Sequence, residues 1–286
     1  MSAAYGDGGR GRKPSKSRLQ MSTVERVLEQ LSARDWDIIH TLHRLHLATG
    51  SQLERLHFIS LHSKRSRNVI RGRALKRLVD THVLTTLDIR VAVAGHNSGE
   101  LCYTLDAIGY RVLQIQSNRE TPDVRIRRPW LPGDRFVRHT LAVTELYVAL
   151  AERARLDEFI LSAFQAKQDA YWPNGPGSWL RPDAFVQLRH AKAADYWQYW
   201  WFEADMGTES LPTLRAKLLT YLDFVQRGQL GPDDVVPRVM VGVLTSKRQA
   251  AIEVQLDGLP SPAAELFQVA DLTDVAQVMA DKITNE

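Results

Sequence analysis

The chain has 286 residues, 44% of them hydrophobic, which is apolar material enough for two domains of ordinary size. A single cysteine, Cys102, excludes an intramolecular disulfide or a multi-thiolate zinc site, and no run approaches the roughly 20 apolar residues of a membrane span, so a cytoplasmic protein is expected. The net charge of +4 is uneven, with 24 Lys/Arg against 13 Asp/Glu up to residue 138 and 13 against 20 beyond it; the first part suits a polyanion, or is simply a solvated basic surface.

Residues 1–20 carry Arg10, Arg12, Lys13, Lys16 and Arg18 without apolar periodicity and read as a disordered basic arm. In 33–46, Trp36, Ile39, Leu42 and Leu45 recur at helical spacing and predict a first helix. Ser51 is placed to cap a short second helix through Leu53, Leu56 and Phe58. A third helix is expected over 66–81, with Val69, Ile70, Ala74, Leu75, Leu78 and Val79 as its buried stripe. Its other face and its approach hold Lys64, Arg65, Arg67, Asn68, Arg71, Arg73, Lys76 and Arg77. Two extended segments around Asn97 and Gly99 then predict a hairpin.

Helix, helix, basic helix, hairpin is the order of a winged helix-turn-helix, here spanning 21–116. A major groove admits one helix, and arginine both neutralises phosphate and grips guanine edges, so these residues are the expected contacts to double-stranded DNA. A protein-contacting winged helix has the same pattern, with the arginines as an exposed face. Residues 117–135, with Pro122, Pro129 and Pro132 among arginines, read as a linker.

From 136 to 286 the order is helix, three strands, helix, strand, helix and a last short strand and helix, an α/β (α+β) pattern with a central mixed sheet. In the aromatic strand, Trp200, Phe202 and Ala204 alternate with Trp201, Glu203 and Asp205, so two carboxylates share a face at its end. Asp183 lies at the mouth of the preceding strand. This order resembles a PD-(D/E)xK nuclease core, a restriction-endonuclease-like domain in which two acids hold Mg²⁺ or Mn²⁺ and a lysine orients the attacking water. The usual lysine position is Asp205. Lys217, four residues before Tyr221 on the next helix, is the alternative source; Glu209 precedes that helix, and the helix before the strands offers His139 and Glu145, the latter as a further metal ligand. Each acid also has a plain reading as a solvated strand end or turn residue, and His139 as a structural histidine.

Taken together, ARDWDIIHTL, ALKRLV with its hairpin, HTLAVTELYVAL, RPDAF and FEADMGTESLPTLRAKLLTYLDF resemble the bacterial replication-relaxation family of plasmids and mobile elements over about 33–245. The resemblance implies a role in replicating, relaxing or processing plasmid DNA, with Asp183, Glu203 and Lys217 at the nuclease-like positions. The expected partners are DNA, a second copy of the chain, or replication and mobilisation proteins. The rival expectation is a non-catalytic replication or transcription regulator that uses the second domain for dimerisation or partner contact. The nine histidines are scattered, so no tyrosine-plus-three-histidine relaxase centre is expected.

Overall fold

The computed structural model describes residues 21–284 apart from 62, 92–98, 118–132, 157, 158 and 194. The basic arm, the hairpin turn at Asn97 and most of the expected linker lie outside the described residues.

The first part consists of α1 (Met21–Gln30), α2 (Ala33–Leu45), β1 (Ala48–Thr49), α3 (Gly50–His57), α4 (Lys64–Asp80), β2 (Leu84–Val91), β3 (Glu100–Leu105) and α5 (Ala107–Gln116). Its sheet has the order β1-β3-β2 and is antiparallel throughout. Ser32 and Asp35 form a capping box that starts α2, satisfying two otherwise orphaned backbone N–H groups. The cap of α3 is Thr49, paired with Gln52, and not Ser51, which lies inside the helix. Ile38, Ile39, Leu42, Leu53, Phe58, Leu75 and Leu78 meet in one core, joined by Val24 and Val27 of α1 and by Ile108 and Val112 of α5. Val69 departs from the expected stripe: it is 44% exposed and stands on the outer side of α4.

The second part runs α6 (Asp134–Arg153), β4 (Phe159–Ala166), β5 (Trp172–Pro173), β6 (Trp179–Leu180), β7 (Ala184–His190), β8 (Trp197–Asp205), α7 (Leu211–Gln226), β9 (Arg238–Val243), α8 (Ser246–Asp257), α9 (Ala263–Leu266), β10 (Phe267–Asp271) and α10 (Val275–Thr284). Five strands form a mixed sheet in the order β10-β9-β8-β7-β4, parallel from β10 to β8 and antiparallel from β8 to β4. The period-two alternation of β8 sorts its side chains between two cores. Trp200, Phe202 and Ala204 pack with residues of α6 and α10, while Trp201 packs with residues of α7, α8 and α9. Each large aromatic buried this way contributes about 1.5–3 kcal/mol. The sheet is thus covered by helices on both faces, and the whole is a mixed α/β fold.

The two parts are fused along α6. Leu47, Leu87 and Cys102 pack on Val137 and Leu141, and Leu45 joins the core under α6. Arg55 of α3 bridges Glu145 and Glu152, two turns apart on α6. The Thr144 hydroxyl donates to the Leu47 carbonyl at 2.7 Å, and Arg155 donates to the carbonyls of Arg55 and Leu56. Burial pushes the Cys102 thiol up to about 11, which keeps it an unreactive strand residue. Among the described residues no helix is long and apolar enough to cross a membrane.

Candidate functional site

Strand register assembles the acidic site. Ala166 of β4 pairs with Ala184 of β7, and Ala184 pairs with Phe202 of β8. The next position along each strand therefore brings Lys167, Asp183 and Glu203 side by side at one end of the sheet, at the spacing of neighbouring strands. That end is the carboxyl end of β8, where open α/β sheets commonly bind ligands. There a cleft of about 390 Å³ opens, its walls including His139, Lys167, Asp183, Glu203, Asp205 and Lys217.

Asp183 is 1% exposed and fully engaged. His139, in the second turn of α6, donates from Nε2 to Oδ2 at 2.9 Å; the Ala204 N–H donates to the same oxygen at 3.0 Å; Lys167 Nζ reaches Oδ1 at 3.3 Å. Glu203, also buried, accepts from Lys217 Nζ and from the Tyr221 hydroxyl, both on α7. Lys217 Nζ also lies 3.9 Å from Asp183. The four-residue spacing of Lys217 and Tyr221 sets both over Glu203, as helical geometry requires.

Electrostatics divide the two acids. Burial and the adjacent Asp183 push the Glu203 carboxyl up to about 8, against the pull of Lys217. Burial would raise Asp183 too, but the hydrogen bond from His139 and the charges of Lys217 and His139 hold it well below the usual carboxylate range. The pair therefore holds one proton at neutral pH. Burial would lower Lys217, but Glu203 and Asp183 raise it above its ordinary value, so it stays charged.

Two expected metal ligands are occupied elsewhere. Glu145 does not reach the cleft: its carboxylate is bound by Arg55 and by Gln52 Nε2 at 2.9 Å, because the α3–α6 contact needs an anion there. Asp205 lines the cleft, yet its oxygens take Arg248 Nε at 2.6 Å and the Gly207 N–H at 2.9 Å. Among the described residues no three His, Cys, Asp or Glu side chains converge to hold an ion by themselves. Asp183 and Glu203 are engaged as well, but one oxygen of each is held by an ammonium group, Lys167 or Lys217, that an incoming divalent cation would replace, so these two acids are the pair that would hold Mg²⁺ or Mn²⁺. Two adjacent carboxylates fit an ion that completes its shell with water and phosphate oxygens, and do not fit one caged by protein alone. Glu209 pairs with Arg135 at 3.2 Å across the cleft mouth.

Lys167, Arg135 and Arg248 were not foreseen. Lys167 lies 16 residues before Asp183, and only the β4–β7 register makes them neighbours. Arg248 lies 43 residues beyond Asp205, with nothing local to announce it.

The cations of α4 fall into two sets. Arg71 and Arg67 reach Glu54 of α3 at 2.6 and 3.6 Å, and Arg77 reaches the buried Asp35 of α2 at 2.6 Å, so these three tie the helix to its own domain. Lys76 pairs with Asp80 on the same helix while remaining exposed. Among the described residues Lys64, Arg65 and Arg73 make no ion pair; they are exposed, as is Asn68. Arg65, Asn68, Val69, Gly72, Arg73 and Lys76 follow i, i+3, i+4 spacing and form one outward stripe. A Cβ at Gly72 would meet nothing within 4 Å, so the middle of this stripe is open.

The sequence model of the family described as Replication-relaxation matches residues 39–239, more than half of the chain. The match takes in α4, His139, the strand-end acids and Lys217. No curated protein and no solved structure matches the chain.

Proposed function

This chain belongs to the replication-relaxation family, and on that premise we propose that it binds the DNA of a plasmid or mobile element and nicks or processes it in the Asp183–Glu203 cleft. The observation that carries the reading is the meeting of Asp183, Glu203 and Lys217 at one sheet end, in the wall of one cleft.

The order α2, α3, α4 and the β2–β3 pair supports a winged helix-turn-helix in which α4 enters the major groove of double-stranded DNA. Lys64, Arg65 and Arg73 are the cations with charge to spare for phosphate or guanine, and Asn68 suits an adenine edge. Val69, on the same stripe, suits a thymine methyl. Docking of α3 on α6 holds this helix and the cleft in one body, so a site bound by the first part sets which phosphate the second part meets.

In the cleft, Lys167 and Lys217 attract a phosphodiester and position it beside the two acids. The five-element order α6, β4, β7, β8, α7 supports the restriction-endonuclease-like reading. Asp183 and Glu203 would hold Mg²⁺ or Mn²⁺, which when bound polarises phosphate oxygens and lowers the pKa of a water. Tyr221 fixes one oxygen of Glu203, His139 fixes one of Asp183, and Lys217 balances the remaining charge. Because Glu203 carries the shared proton at neutral pH, it would have to release that proton to hold an ion, so binding would tighten as pH rises toward about 8.

Supercoiled plasmid incubated with the protein and Mg²⁺ or Mn²⁺ tests the proposal. Wild type converts it to the nicked or linear form, and Asp183→Asn and Glu203→Gln do not. Equal cutting by both variants would assign the activity to another site or a contaminant. One observation favours the rival, a non-catalytic replication or transcription regulator whose second part serves dimerisation or partner binding: Asp205 stands at the usual lysine position and is neutralised by Arg248. Site-selective DNA binding without any cutting would establish that rival.

A further inference from the structure

Between β4 and β7 the chain makes a small hairpin, β5–β6, which leaves the cleft at Lys167 and returns to it at Asp183. One side of the hairpin is anchored. Trp172 packs against Phe185 and Trp201, each at 5.5 Å between ring centroids, and Leu180 is buried beside them. Asn174, buried at the turn, reaches Asp223 of α7. Alternation along the two strands turns the neighbouring residues outward. Tyr171 is 51% and Trp179 47% exposed, and their rings meet edge to face at 5.4 Å.

A lone exposed aromatic is unremarkable, but two in contact on an anchored hairpin keep apolar surface in water, with no element laid over them among the described residues. Their setting is cationic. Lys167, 59% exposed, stands on the entering strand, and exposed Arg181 stands on the leaving one. The nearby acids are Asp169, which interacts with His46, and Asp223, which is paired with Arg227. Trp179 is four residues from Asp183, which bounds their separation at about 14 Å, or two nucleotide steps of an extended strand.

We propose that the Tyr171–Trp179 pair is a stacking platform for unpaired nucleobases, which leads a single DNA strand, its phosphates on Arg181 and Lys167, into the Asp183–Glu203 cleft. Aromatic faces accept any base, and flanking cations supply the sequence-independent grip on the backbone. The delivery of a strand rests on the function proposed above; the stacking does not.

The test uses the full chain in EDTA and a fluorescent oligo-dT, read by anisotropy, beside a duplex. Trp179→Ala and Tyr171→Ala each weaken oligo-dT binding by about tenfold, Trp179→Phe and Tyr171→Phe retain it, and duplex affinity is unchanged in all four. Unaltered oligo-dT affinity in both alanine variants overturns the platform and leaves the pair as a contact for a protein partner; a parallel loss of duplex binding overturns it also. Plasmid nicking, assayed separately on these variants, tells the two readings apart. If nicking depends on Asp183 while oligo-dT binding ignores Trp179, only the platform fails. If oligo-dT binding depends on Trp179 while no nicking occurs, the platform stands and the cleavage reading fails.

Discussion

Helix α4 and the Asp183–Glu203 cleft are both dense in charge, yet they spend it differently. On α4 cations outnumber acids, so after Glu54 and Asp35 are matched, Arg65, Arg73 and Lys64 remain in water with their charge uncompensated. At the cleft the two central acids have been taken out of water, and each carboxylate oxygen of Asp183 and Glu203 has found a donor. A hydrated cation costs little to keep waiting for a phosphate. A buried acid must be neutralised at once, by a partner or by a proton. Composition alone therefore does not distinguish a binding surface from a reactive one; burial does.

The largest test of this contrast is Lys217→Met, which keeps the aliphatic stem and removes the ammonium from two buried acids. Chemical denaturation should record a loss of about 3 kcal/mol. A loss below about 1 kcal/mol, the value of a surface pair, would erase the distinction between cleft and α4.

Next is the pH dependence. With an ordinary value of 4.5 and a folded value of about 8, Glu203 contributes stability that is complete below about pH 4.5 and lost as pH rises toward 8. Wild type should therefore lose stability relative to Glu203→Gln over that window, by up to about 1.4 kcal/mol per pH unit. Parallel stability curves would mean that the two acids do not share a proton.

On α4, Arg65→Ala with Arg73→Ala should lower duplex affinity about tenfold and reduce the slope of log K against log salt by about 2, since each lost phosphate contact removes nearly one released counterion. Arg67→Ala with Arg71→Ala should change the slope less and thermal stability more, because those arginines hold α3. The reverse ranking would show that the sorting of α4 into inner and outer cations is wrong.

The smallest effect is the most discriminating. Gly72→Ala should raise stability by about 0.5–1 kcal/mol, since the new methyl meets nothing and alanine is the better helix former. If a duplex approaches the helix there, the same variant binds DNA more weakly while melting higher. Unchanged affinity would put the contact elsewhere on the helix.

Much of this was legible in the sequence. The helices α2, α6 and α7 follow from apolar spacing, the alternation of β8 separates Trp200 and Phe202 from Trp201 and Glu203, and the shared face of Lys217 and Tyr221 follows from a four-residue step. Helices α1 and α5 were missed although both carry apolar residues at helical spacing, because only the core they close shows what those residues cover. Val69 was misplaced because α4 carries apolar residues on more than one side, and its neighbours choose which are covered. Ser51 lost the cap to Thr49 by two residues, a choice made by backbone geometry.

Short-range order was therefore set by the sequence itself: the helices, the alternating strands, the cationic α4 and the residue types at the strand ends each depend on side chains a few positions apart. Only the tertiary structure decided which charges met. Lys167 finds Asp183 through strand register, Arg248 finds Asp205 across 43 residues, and Arg55 takes Glu145 away from the cleft. Ion pairs of this kind are fixed by packing at a distance, because a charge leaving water accepts whichever opposite charge the fold carries past it.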